Sequence, residues 1–112
     1  MHPNLTLNFA GGSVSCPLPL SAVKTLETEI QVLMERLRTA STQTGKKTAQ
    51  PNTEYRFREE IFFEIFCNPN LWSSPFAAKV LLTLKTDLVR ISAELDLNQL
   101  REDIQQYYQN VA

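Results

Sequence analysis

The sequence predicts a mainly α fold within the α+β class: three or four amphipathic helices with an N-terminal β-hairpin packed on them. Three observations carry that expectation. Apolar residues alternate from Leu5 to Phe9 and again from Val14 to Leu20. They recur at spacings of three and four from Val23 to Leu37 and from Ala77 to Leu95, which is the helical period. The run between them, residues 54–67, is ordinary in length for a helix and long for a strand.

The hairpin is placed at 4–18. Leu5, Leu7 and Phe9 point one way and Thr6 and Asn8 the other, as a half-buried strand requires. Gly11 and Gly12 supply the turn, and Val14, Cys16 and Leu18 resume the alternation. Pro17 and Pro19 lack an N–H, so the second strand is expected to be a short edge. A first helix, 22–38, follows Ser21 as N-cap and buries Val23, Leu26, Ile30, Leu33 and Leu37 on one stripe.

Residues 39–53 contain no large apolar side chain and read as a flexible polar loop, with a small positive charge from Lys46 and Lys47. The next stretch, 54–67, fits two periods. As a strand, Tyr55, Phe57, Ile61, Phe63, Ile65 and Cys67 share one face, interrupted by Glu59. The opposite face holds Arg56, Arg58, Glu60 and Glu64, interrupted by Phe62 and Phe66. As a helix it has one thin polar seam of Arg56, Glu60 and Glu64, with Asn68-Pro69 as its stop. Length decides for the helix.

A third helix is expected over 75–95, capped by Ser73 or Ser74 with Pro75 in its first turn. Its seam is Ala77, Leu81, Leu84, Leu88, Ile91 and Leu95. The apolar phase changes between Leu95 and Leu97, so a break separates it from a last helix over 98–110, carried by Leu97, Leu100, Ile104 and Tyr107 or Tyr108.

Composition excludes several classes of function. The 112-residue chain, 43% hydrophobic and 21% charged, suits one domain spanning 1–112 with a core of its own. A net charge of −1 provides no general attraction to nucleic acid or anionic lipid. No run approaches the roughly 18 apolar residues of a membrane span, and "MHPNLTLNFAGG" lacks the pattern of a secretory leader. Two widely spaced cysteines, Cys16 and Cys67, make neither a disulfide framework nor a zinc site. A reducing cytoplasm is the expected location.

Catalytic chemistry finds few candidates. His2 is the only histidine, which leaves no imidazole for a triad or a metal site. Cys67 lies among Phe63, Ile65 and Phe66, where desolvation raises a thiol pKa. Glu60 and Glu64 read as a solvated seam, and Gly11-Gly12 lacks the spacing of a phosphate loop. Arg56 and Arg58 alternate with Tyr55 and Phe57, but in a strand the cations and rings face opposite ways, so nucleic acid is disfavoured.

The expectation is therefore a non-enzymatic protein-interaction module, an adaptor, assembly factor or chaperone-like protein, with no cofactor or metal and with itself as a partner. The reason is surplus apolar surface: a helix over 54–67 would be greasy around about two-thirds of its circumference, more than one small chain can cover. Candidate partner or dimer contacts are Phe62, Phe63, Phe66, Trp72, Tyr107 and Tyr108. The rival reading is a pocket for a small apolar ligand, lined by Phe57, Phe62, Phe63, Phe66 and Trp72.

Overall fold

A computed structural model describes residues 2–46 and 48–111. Strands β1 (Asn4–Phe9) and β2 (Gly12–Pro17) form the N-terminal hairpin, and helix α1 runs Leu20–Thr42. Four strands follow, β3 (Thr53–Arg58), β4 (Phe62–Cys67), β5 (Lys79–Lys85) and β6 (Arg90–Asp96), and the chain continues into helix α2 (Leu97–Val111). The described residues thus form two α-helices and six strands. The expectation of three or four helices is overturned, and the protein is not predominantly helical.

The hairpin follows its alternation. Leu5, Leu7 and Cys16 are buried, while Thr6 and Ser15 face solvent and hydrogen-bond across the strands at 2.7 Å. Gly11 turns the chain with φ +85°, a backbone state that disfavours a side chain. In α1 the stripe Val23, Leu26, Ile30, Leu33 and Leu37 is buried as its spacing requires. The helix starts earlier than expected: the Pro19 carbonyl accepts from the Ala22 and Val23 amides, so Ser21 lies in the first turn and is no cap. It also continues to Thr42, into the segment read as loop. Beyond it Gln43 and Asn70 hold the backbone of residues 48 and 50 through paired amide hydrogen bonds. Lys47, half of the expected basic pair, lies outside the described residues.

Residues 54–67 are a β-hairpin, β3 and β4, with register Thr53↔Cys67 to Arg58↔Phe62. Glu59, which interrupted the strand reading, sits with Glu60 and Ile61 in the turn and belongs to neither face. Asn68-Pro69 does end the element, since the Asn68 side chain accepts from the Asn70 amide and starts a short 3-10 turn, Pro69–Leu71.

The expected helix over 75–95 is a second hairpin. The Ser74-Pro75 signal makes only a turn, in which the Ala77 amide meets the Ser74 carbonyl and Oγ. From Lys79 the side chains alternate in direction: Val80, Leu82 and Leu84 are buried in the core and Leu81 is exposed on the other face, where Thr83 beside it is also buried. Leu88, a member of the supposed seam, is 93% exposed at the β5–β6 turn. Thr86 closes that turn, its Oγ1 accepting from the Leu88 and Val89 amides. The break before the last helix is present, with β6 passing directly into α2 after Asp96.

Strands β3-β4-β5-β6 form one antiparallel sheet in sequence order. Its inner face carries Tyr55, Phe63, Ile65, Cys67, Val80, Leu82 and Leu95 into a core shared with α1, α2 and the N-terminal hairpin. Helix α1 lies against β3, where the Tyr55 hydroxyl donates to the Ala22 carbonyl at 2.9 Å. Helix α2 lies against β1 and the end of β6. Each large side chain buried here contributes about 1.5–3 kcal/mol through removal from water, which is what closes the helices over one face.

Candidate functional site

The six residues expected to make contacts do not form one patch. Phe63 is fully buried on the inner face of β4, edge-on to Tyr55 at 6.2 Å between ring centroids. Trp72 follows the 3-10 turn and half-packs against the core. Tyr107 is buried, its hydroxyl donating to the Leu18 carbonyl at 2.7 Å. Tyr108, half-buried, donates to Glu27 at 3.0 Å. Burial and the Glu27 carboxylate push the Tyr108 hydroxyl up to about 12. Both tyrosines therefore hold α2 to the rest of the chain through their hydroxyls. Only Phe62 and Phe66 share an unoccupied surface.

That surface is the outer face of the four-stranded sheet. Strand alternation turns Phe62 and Phe66 away from the core, and neither they nor Leu81 pack against it. The strand pairing arranges the face in rows that cross all four strands. At one end lie Arg58, Phe62, Lys85 and Arg90. The middle row is Arg56, Glu64, Thr83 and Ser92. The third is Glu54, Phe66, Leu81 and Glu94. The end rows lie four residues apart along each strand, about 13 Å, and their outer-strand charges are opposite in sign.

Local geometry holds the face in shape. Phe62 carries the Arg58 guanidinium at 4.6 Å and the Lys85 ammonium at 4.5 Å from its ring centroid, both within cation–π range. Arg56 donates to Glu64 at 2.5 Å and lies 3.4 Å from Glu54. The hydrogen bond to Glu64 and the two carboxylates raise its pKa further above the ordinary arginine value. Among the described residues, Arg58, Arg90 and Glu94 make no ion pair within the chain.

Other features are less suited to recognition. A groove of about 450 Å3 lies between the end of α1 and residues 70–73 beside Trp72. Its amides, Gln43 and Asn70, are already committed to backbone partners. Exposed Leu71 and Phe76 lie in the link before β5, and Leu88 and Val89 at its other end, so they form no single patch. The aromatic set proposed for a ligand pocket is split by the sheet, with Phe57 and Phe63 inside and Phe62 and Phe66 outside.

The candidate chemical groups are dispersed as well. Glu60 sits in the β3–β4 turn, while Glu64, on β4, accepts from Arg56. His2 lies at the surface, 3.4 Å from Glu59. Burial pushes the Cys16 thiol up to about 11, and likewise the Cys67 thiol, with Trp72 opposing in the second case. Among the described residues no three His, Cys, Asp or Glu side chains are grouped to hold a metal ion. Nor is any helix among them long and apolar enough to cross a membrane.

The expected contact set omitted Arg58, Leu81, Arg90 and Glu94. The signal for the last two was present in "RISAELD", where Arg90, Ser92, Glu94 and Asp96 alternate cleanly with Ile91, Ala93 and Leu95. Comparison with known proteins gave no match: no family model, no curated protein and no solved structure corresponds to this chain.

Proposed function

We propose that the protein is a non-enzymatic interaction module that works as a homodimer, in an adaptor, assembly or chaperone-like role, and docks through the outer face of its sheet. The observation that carries the reading is the position of Phe62, Phe66 and Leu81: three apolar side chains on the two middle strands, outside the core, set among charged residues from all four strands. Protein interfaces combine apolar contact area with polar and charged groups around it, and this face offers both. The same face carries both signs of charge, which suits a protein partner better than a polyanion such as nucleic acid. Raised thiol pKa values at Cys16 and Cys67 favour a structural role for both over a nucleophilic one. Both are unpaired, which supports the reducing cytoplasm as the working compartment.

Light scattering on the eluting peak of a sizing column tests the reading. At about 10 µM, a concentration that reveals a micromolar dimer, the expected mass is twice the 12.8 kDa of one chain. Phe66→Asp, which replaces an apolar contact on a middle strand with a carboxylate, is expected to return the mass of one chain with the fold intact. A wild-type protein that elutes with the mass of one chain overturns the proposal.

A further inference from the structure

We infer that the second copy covers the outer face by stacking sheet on sheet, about a two-fold axis that lies in the interface and crosses the strands along the row from Arg56 to Ser92. The inference rests on the homodimer reading and fixes its geometry.

Two sheets can stack face to face with two-fold symmetry in two simple ways, and the charge rows distinguish them. If the axis ran along the strands, each row would meet itself with strand order reversed. Arg58 would then face Arg90 of the other copy, and Glu54 would face Glu94, so like charges would oppose one another in both end rows. If the axis crosses the strands at the middle row, strand order is kept and the end rows exchange. Arg58 then meets Glu54, Phe62 meets Phe66, Lys85 meets Leu81 and Arg90 meets Glu94. Every contact occurs twice by symmetry, as an isologous interface demands. The two phenylalanines meet over β4, the Lys85 stem lies over Leu81 on β5, and the opposite charges meet over the edge strands β3 and β6, where water still reaches them.

The middle row meets its own copy in this arrangement, which would set Arg56 near Arg56 and Glu64 near Glu64. Each of these guanidiniums already sits between Glu64 and Glu54 in its own chain, one positive charge against two negative, and the Arg58 that the other copy sets against Glu54 brings each cluster to balance. Arg58, Arg90 and Glu94 lack an ion pair within the chain among the described residues, and the exchange of rows supplies one to each. Sheets packed in this way lie about 10 Å apart with strands within about 30° of alignment, a distance that side chains of this length span from both sides.

Charge exchange within β6 tests the geometry on the full chain, with the dimer dissociation constant read by sedimentation equilibrium. Arg90 and Glu94 are both exposed on an edge strand, so the circular dichroism spectrum of each variant is expected to match wild type. Arg90→Glu and Glu94→Arg each turn two attractive pairs per dimer into repulsive ones, and each is expected to weaken the dimer by about tenfold or more. The double variant Arg90→Glu/Glu94→Arg exchanges the two charges and is expected to regain wild-type affinity. If Arg90→Glu leaves the affinity unchanged, or tightens it as the other axis requires, this geometry is overturned. In that event a dimeric wild type with a monomeric Phe66→Asp variant keeps the interaction reading alive. A monomeric wild type removes both.

Discussion

The two faces of the four-stranded sheet are built from the same strands and differ by one residue in phase. On β4, Phe63 and Ile65 are fully buried beneath the helices, while Phe62 and Phe66 stand half-buried on the side no helix covers. Inside, contacts are apolar and the few polar groups have designated partners, such as the Tyr55 hydroxyl on the Ala22 carbonyl. Outside, apolar rings alternate with charges, and cation–π and ion-pair contacts hold side chains in place without sealing them from water. Phenylalanine alone does not declare its role; the parity of its position in the strand does.

The sharpest way to test that contrast is truncation inside. Phe63→Ala removes a fully buried ring that no neighbour can replace and is expected to cost about 3–5 kcal/mol, read as a lowered denaturant midpoint. A loss under about 1 kcal/mol would mean the inner face is not the tightly packed side.

Next in size is a polar clamp between α2 and β1. Asp103 is 5% exposed and accepts from the Asn8 amide at 2.9 Å, the Asn8 side chain at 2.8 Å and Gln99 at 2.9 Å. Asp103→Ala leaves these donors without their acceptor and is expected to cost about 1–3 kcal/mol. The exposed ion pair on the outer face sets the lower end of the range: Arg56→Ala is expected to cost at most about 1 kcal/mol, with the same denaturant assay as readout. Equal losses from the two would erase the difference between clamp and surface pair.

Alkaline pH probes buried groups selectively. Cys16 and Cys67 rise from 9.0 to about 11 on folding, and Tyr108 from 10.0 to about 12. The folded chain therefore holds protons more tightly than the unfolded one, so this contribution to stability is complete below pH 9 and is lost as pH climbs to about 12. Tm is expected to fall across that window, and less steeply between pH 9 and 11 in Cys16→Ala. A Tm independent of pH up to 12 would contradict the burial of these groups.

The parts of this fold that were legible in the sequence are those where one period stands alone. Leu5, Leu7 and Cys16 alternate, Val23 to Leu37 recur at helical spacing, and each pattern found its element. The misreadings over 54–67 and 75–95 share a physical cause. Two short antiparallel strands joined by a tight turn add up to the length of one helix, and neither turn, Glu59 to Ile61 or Thr86 to Val89, contains a glycine to mark it. Leu81 and Leu88 completed a plausible helical seam although both side chains face solvent. The candidate surface is half visible for the same reason: Phe62 and Phe66 stand out as apolar in the sequence, but apart from Glu64 their charged companions come from other strands and meet them only through the register. The Asp103 clamp, spanning 95 residues to Asn8, left no local pattern at all.

That span has a consequence for how the chain matures. Leu5 and Leu7 shelter under elements that include α2, and the hydrogen bonds from Asn8 to Asp103 and from Tyr107 to Leu18 join residues 95 and 89 positions apart. A ribosome adding about 5–20 residues each second needs roughly 5–20 seconds to supply the far half of those contacts. During that interval the hairpin exists without its cover, a two-stranded ribbon that is marginal in water on its own. Nascent chains stalled before residue 97 should therefore expose the hairpin to proteases and chaperones, and its protection should arrive together with α2.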